Sequence, residues 1–488
     1  MNKLVILLSL SILLSACGGS SSDDVTSPNP EPEPNPFAQL TSVIEQDLSG
    51  NDAAAVSVAI YKEGEIVFAE AFGEKIKGQG EPVTSNTLFQ LGSTTKMFTA
   101  VAVLQLIQQD LIALDDKLTN VVPQIQYPSD QALDWQEIEI EHLLTHQSGL
   151  RDSSMQDEGD LVNHMQTEYP RDFLQLNPPG FFHNYSNPNW SYLGAIIEQL
   201  TQEKYDDYVH QNIFAKLEMN RSFIGREDAV SDGDYALGFQ VLDPNQGGSF
   251  NTQISQMPKS TIGHAAGTET WSTPSQQLKM ADFLLNGDPS LLSDPLRAQI
   301  TSAQVSEDFA GLPFNYGYGI YVNDGFQLGN DWYPLKNWNH GGNTFSYTNV
   351  FYVFPELDIA ISIMSSGAFN NFEPTLLAAL GSVTTLPESQ ALPVIQSDST
   401  QYDRHVGTYS SNNFTFIISK DGNDLLIFIP ELEAGNIPYE PKLEHYGDDT
   451  FFANIGGEIS DLTFIQIEEG GESVFIRNRE LVAIKDGF

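Results

Sequence analysis

The chain is almost without cysteine. Among its 488 residues only Cys17 carries a thiol, which excludes intrachain disulfides and any thiolate metal cluster. Basic residues are scarce too: 22 Lys and Arg stand against 65 Asp and Glu, a formal charge of -43. Nucleic acid is excluded as a partner, because binding it takes a basic face. A well-solvated acidic surface is the physical consequence. The apolar run Leu4–Leu14 is too short to span a membrane. No Gly-x-Ser-x-Gly occurs anywhere, which argues against a nucleophile elbow of the α/β-hydrolase kind.

What is present begins with that run. Lys3, the apolar stretch and the small residues Ser15-Ala16 read as a secretory signal over residues 1–16. Leu14-Ser15-Ala16-Cys17 is similar to a bacterial lipobox. That resemblance implies lipidation of Cys17, a membrane attachment through the lipid anchor, and residence in the bacterial cell envelope. Gly18, where Asp is absent, implies outer-membrane sorting by the same resemblance. Residues 17–36, rich in Ser, Asp and Pro, then read as a tether.

Periodicity sketches the rest. Phe37–Leu48 reads as a helix, and Ala54–Tyr61 with Glu65–Phe72 as a hairpin turning at Lys62-Glu63-Gly64. An amphipathic helix is expected from Ser93, with apolar Met97, Val101, Leu104, Ile107 and Leu111. Ile138–His146 reads as a short helix, and further helices are expected over Trp190–Leu200 and Ser275–Leu285. Phe345–Phe354 and Ile359–Met364 read as strands, with Gly341-Gly342 at the mouth of the first. Residues 386–400 are polar and read as a linker. Beyond 401, short apolar runs such as Leu425–Ile429 and Leu462–Ile465 predict a small antiparallel β-barrel or sandwich. That domain, 401–488, holds none of the candidate catalytic residues.

Chemistry centres on Ser93 and Lys96. Three residues apart at a helix start, they share a face, so an amine in a dry pocket can take the hydroxyl proton. Unpaired N–H groups of a first helical turn can hold an oxyanion. A Ser-x-x-Lys pair arises by chance about once in a chain of this length, so its meaning rests on the motifs downstream of it. Tyr185 and Asn187 lie in a loop before a helix; His340 and Gly342 lie beside a predicted strand. His142 and His146 have metal-ligand spacing, but Leu143 stands where a zinc protease has Glu and no third ligand is evident, so they read as structural. The glycine-rich segment Gly263–Thr268 lacks phosphate-loop spacing and reads as a tight turn.

Taken together, Ser93/Lys96, Tyr185/Asn187 and His340/Gly342 resemble the three motifs of the serine β-lactamase and penicillin-binding superfamily, in the form of its class C β-lactamase-related branch. That branch includes D-alanyl-D-alanine carboxypeptidases, D-amino-acid peptidases and carboxylesterases. Leu143–Leu150 is similar to a family hallmark. The resemblance implies an α+β fold over 37–385, with an antiparallel sheet flanked by helices and an all-helical subdomain. It implies Ser93 as nucleophile, and Lys96 with Tyr185 sharing the proton, the tyrosine acting as base with help from the lysine charge. It further implies that Asn187, His340, Gly342 and Asn343 bind substrate, with the N–H groups of Ser93 and Asn343 as oxyanion hole, and that no metal or cofactor is needed. The tail after 400 resembles a lipocalin-like appendage.

The expected function is acyl-enzyme hydrolysis of an amide, β-lactam or ester, on a small-molecule or peptidoglycan-derived substrate. Many β-lactamases carry Lys where His340 stands, and a mostly neutral histidine offers less charge to a substrate carboxylate. The competing class is a non-catalytic envelope binding protein on a hydrolase fold, against which the intact Ser93, Lys96 and Tyr185 argue. Nothing in the sequence sets an oligomeric state.

Overall fold

The computed structural model describes residues 36–488 apart from 126–134, 172–174, 242–248, 253–258, 310–311, 330, 392–397, 412–413, 469 and 480. The expected signal peptide, Cys17 and the tether as far as residue 35 lie outside the described residues.

Ala55–Lys62 (β1) is apolar or small at nearly every position, and seven of its eight residues are buried. Such a strand needs cover on both faces. It obtains this inside an eight-stranded antiparallel sheet. The other strands are β2 (Glu65–Gly73), β3 (Val305–Phe309), β4 (Leu312–Tyr316), β5 (Tyr321–Asn323), β6 (Asn337–Asn343), β7 (Thr348–Phe354) and β8 (Ile359–Ser365), in the spatial order β2-β1-β8-β7-β6-β5-β4-β3. Alternate side chains separate two cores. Val56, Val58 and Ile60 join Ile359, Ile361 and Ile363 beneath two helices, α1 (Ala38–Gly50) and, later in the chain, Glu373–Val383. Ala55, Ala59 and Tyr61 face the opposite way, into the core shared with the helical part.

That core is built around α2 (Lys96–Gln108), α3 (Ile140–Leu144), α4 (Asn187–Thr201) and α5 (Pro274–Asn286). The structure departs from the expected amphipathic helix here. Every residue from Lys96 to Leu106 is buried, Ala100, Ala102 and Gln105 included, and Leu111 falls outside the helix on the surface. Small residues on the faces between the leucines let neighbours close in all round. α3 is also shorter than expected: it ends at Leu144, and His146 leaves it with a φ of +58°. α4 and α5 each begin with Pro in the first turn, where its missing N–H costs nothing. Gly341-Gly342 stand within β6 itself and not ahead of a strand. In the expected linker, Gln390–Ala391 pair with Asp331–Tyr333.

The C-terminal strands are β9 (Gly407–Ser410), β10 (Thr415–Asp421), β11 (Asp424–Phe428), β12 (Glu444–Gly447), β13 (Thr450–Ile455), β14 (Glu458–Gln466), β15 (Ser473–Arg477) and β16 (Val482–Lys485), ordered β11-β10-β9-β16-β15-β14-β13-β12. The sheet closes into a barrel where β11 meets the segment entering β12. There Ile427 donates its N–H to Pro441 and Leu443 donates to Leu425. Phe416, Ile418, Phe451, Phe464 and Ile476 fill the inside. Closure pairs the β11 edge of this sheet with the other end of the barrel. No helix among the described residues is long and apolar enough to cross a membrane.

Candidate active site

Ser93 sits in a 3-10 turn, Gly92–Thr95, that runs directly into α2 at Lys96. The neighbouring Thr94 holds the turn in place. Its hydroxyl donates to Leu91 O at 3.0 Å and accepts from Gln277 of α5 at 2.9 Å and Asn349 of β7 at 3.1 Å. Lys96 is wholly buried, with Nζ 3.2 Å from Ser93 Oγ, 2.8 Å from Asn187 Oδ1 and 2.6 Å from Ala266 O. Burial drives its pKa well below the usual lysine value. A neutral amine has two hydrogens and one lone pair. Two of the neighbours are carbonyl oxygens, which only accept, so both hydrogens go to them. The lone pair is left facing the Ser93 hydroxyl, the arrangement a general base requires.

The turn signal Asn177–Gly180 leads to Tyr185 and Asn187 at the start of α4, with Ser186 as its N-cap. The Tyr185 ring stacks on the buried imidazole of His146 with centroids 4.1 Å apart, and its hydroxyl lies in the surroundings of Ser93. Burial pushes the phenol far up, so it stays protonated. The lysine charge needed to lower its pKa is itself suppressed by the same dry surroundings. Asn187 Oδ1 accepts from Lys96 Nζ, while its N–H and Nδ2 donate to Asp152 Oδ1 at 2.8 and 3.1 Å.

β6 forms a further wall. A Cβ on Gly342 would stand 2.0 Å from Leu91 O, so only glycine lets this strand lie against the Ser93 turn. His340 is buried beside Tyr321, and burial holds its pKa down to about 3. It therefore presents a neutral ring to the cleft. The Asn343 side chain turns aside, its Oδ1 accepting from Thr348 and from Phe369 N.

Three features escaped the reading of the sequence. Gly263–Thr268, taken for a plain turn, supplies Ala266 O to Lys96, and a Cβ on Gly267 would lie 2.2 Å from Gly92 O. That turn is braced by buried His264, whose Nδ1 lies 2.8 Å from Asp206 and whose Nε2 lies 3.4 Å from Glu269. Burial opposes its charge, but the two carboxylates prevail and raise it to about 9. Second, His146 and the segment around it underlie Tyr185. His142 serves elsewhere, taking the Glu139 N–H as part of a capping box on α3. Third, Arg479 comes from the barrel. Its Nε and Nη2 meet Asp152 Oδ2 at 2.9 and 2.8 Å, and its guanidinium lies 4.4 Å above the Tyr185 ring. A pair of arginines two residues apart, Arg477 and Arg479, in a sequence this poor in basic residues was the available signal.

Ser93, Tyr185, Asn187, His340, Asn343 and Arg479 all line one cleft of about 960 Å3. The exposed Phe345 and Phe369 give it an apolar edge. Among the described residues no group of three or more His, Cys, Asp and Glu side chains is placed to hold a metal ion.

Comparison with known proteins places the chain in a family and shows its fold. Residues 40–383 match the family described as Beta-lactamase. A beta-lactamase of Yersinia enterocolitica is 28% identical over 276 residues, which are 54% of this chain and 64% of that one. The chain spans less than two thirds of the length of the curated relatives it matches. Among solved structures, the octameric penicillin-binding protein homologue from Pyrococcus abyssi aligns with a TM-score of 0.60 at 21% identity, over 92% of this chain and 98% of that one. D-amino acid amidase from Ochrobactrum anthropi SV3 aligns at 0.59 and 22%, over 72% of this chain and 99% of that one. At these identities the structural likeness is one of fold.

Proposed function

The chain belongs to the beta-lactamase family, and from that premise we propose that it is a serine hydrolase working through an acyl-enzyme on Ser93. One observation carries the reading: a buried Lys96 whose two carbonyl partners leave its lone pair for Ser93 Oγ, 3.2 Å away. Lys96 takes the hydroxyl proton as Oγ attacks the substrate carbonyl carbon. The N–H groups of Ser93 and Asn343 receive the oxyanion, each such donor contributing roughly 3 kcal/mol in the transition state. Tyr185, kept protonated, gives its proton to the departing nitrogen or oxygen and recovers one from Lys96. Water then attacks the ester on Ser93 by the reverse path, releasing the acid and restoring the serine.

A neutral His340 gives no charge to a substrate carboxylate, which favours amides and esters over efficient β-lactam turnover. The similarity to an amidase supports an amide substrate, while the similarity to a β-lactamase keeps β-lactams among the substrates to be tested. The lipobox and tether support an envelope location with attachment through Cys17. Replacing Cys17→Ser is then expected to release the protein from the membrane fraction, and retention would contradict the anchor.

The test of the catalytic reading is incubation of the full-length chain with a fluorophosphonate, followed by peptide mapping. A single adduct on Ser93, absent from Ser93→Ala, is expected. A folded protein that takes no label, or takes it at another residue, contradicts the mechanism.

A further inference from the structure

The barrel reaches the cleft through one hairpin. Phe475 of β15 packs on Phe182, with Val482 of β16 in the same small apolar cluster. Arg477 donates to His183 O and meets Glu307 Oε2 at 3.3 Å. Glu307 in turn accepts from His183 N at 2.6 Å. The hairpin thus grips the strand of chain that leads into Tyr185. Arg479, just past β15, continues from this grip to Asp152 and the Tyr185 ring.

We propose that Arg479 is a positioning residue of the Ser93 site, holding the Asp152 carboxylate that fixes Asn187 against Lys96, so that the catalytic half is complete only with the barrel docked. The proposal rests on the acyl-enzyme reading of Ser93 and deepens it. The chain of contacts is continuous: Arg479 to Asp152 Oδ2, Asp152 Oδ1 to the N–H and Nδ2 of Asn187, Asn187 Oδ1 to Lys96 Nζ. Asp152 is mostly buried, so its charge needs a partner.

The charges have opposite effects on the lysine. Asp152 pulls the Lys96 pKa up, and Arg479 pulls it down. The remaining groups near Lys96 are neutral: Ser93 and Ala266 O, the protonated Tyr185, and His146 and His340, both held low by burial. With Arg479 gone, Asp152 acts unopposed and Lys96 holds its proton to higher pH.

The experiment is the rate of Ser93 labelling by a fluorophosphonate against pH, in the full-length chain. In Arg479→Ala the acid limb is expected to move up by about half a pH unit or more, a roughly threefold loss on the limb. Arg479→Gln carries the same expectation should the alanine variant fail to fold. Adding Asp152→Asn to either is expected to bring the limb back down to its wild-type position or below it, since Asp152 is the stronger of the two influences on Lys96, which a merely structural docking role would not do. A folded Arg479 variant with the wild-type limb, or a double variant no different from the single, overturns the proposal. Wild-type protein that never labels on Ser93 instead overturns the acyl-enzyme reading beneath it.

Discussion

Two buried bases lie close together in this molecule and end in opposite charge states. Lys96 and His264 are connected through one short turn: Ala266 O takes a hydrogen bond from Lys96, and Ala266 is two residues from His264. Both side chains are at least nine-tenths buried. Lys96 meets carbonyl oxygens and a hydroxyl, and burial drives it toward neutrality. His264 meets two carboxylates, which overcome burial and hold it charged. Burial sets the cost of a charge, and the partners decide whether it is met. The cleft uses both outcomes, a neutral amine for proton transfer and a charged ring to brace the turn that holds that amine.

The comparison breaks most severely at the lysine. Lys96→Ala removes the base and is expected to slow Ser93 labelling by roughly a thousandfold or more, measured at saturating pH. Glu269→Gln acts on the other base. It removes the buried partner of a charged ring and is expected to cost about 3 kcal/mol in denaturant unfolding. Asp206 is 40% exposed, so Asp206→Asn should cost less, about 1 kcal/mol.

pH sharpens the same contrast. His264 has a folded pKa of about 9, above its unfolded value of about 6.5. Its stabilisation is therefore complete below pH ~6.5 and is lost as pH rises through about 9, amounting to roughly 3 kcal/mol. Lys96 has the opposite sign: its folded pKa lies below its unfolded value, so its cost to stability eases as pH rises toward ~10.5. Unfolding measured from pH 6 to 10 in wild type and His264→Leu isolates the first slope. Equal slopes in the two proteins would contradict the charged ring.

Legibility in the sequence divides along the same line between local and distant partners. The Ser93–Lys96 spacing is one helical turn, so local geometry foretold the contact. β1, β2, α1, α4 and α5 were legible because turn and cap residues bound their apolar patterns. Asp152, Glu269 and Arg479 were not legible, since a charged residue in a loop has no periodic signature. Arg479 lies 327 residues from Asp152, and only the docking of the barrel brings them together. α2 misled through its alternating alanines, which bury as well as leucines do when neighbours approach closely. The hydrophobic pattern also left the closure of the barrel open, because it rests on the β11 contact with the segment entering β12.

The central claim is that Lys96 is a neutral base acting on Ser93. The rate of Ser93 phosphonylation by a fluorophosphonate, followed from pH 5 to 10 in the wild-type chain, tests it most directly. The expected profile rises along a single ionisation well below the ordinary lysine value and then stays level, with the adduct confined to Ser93. A rate that keeps climbing through pH 9 to 10 would mean that Lys96 carries its charge at neutral pH, and would contradict the claim.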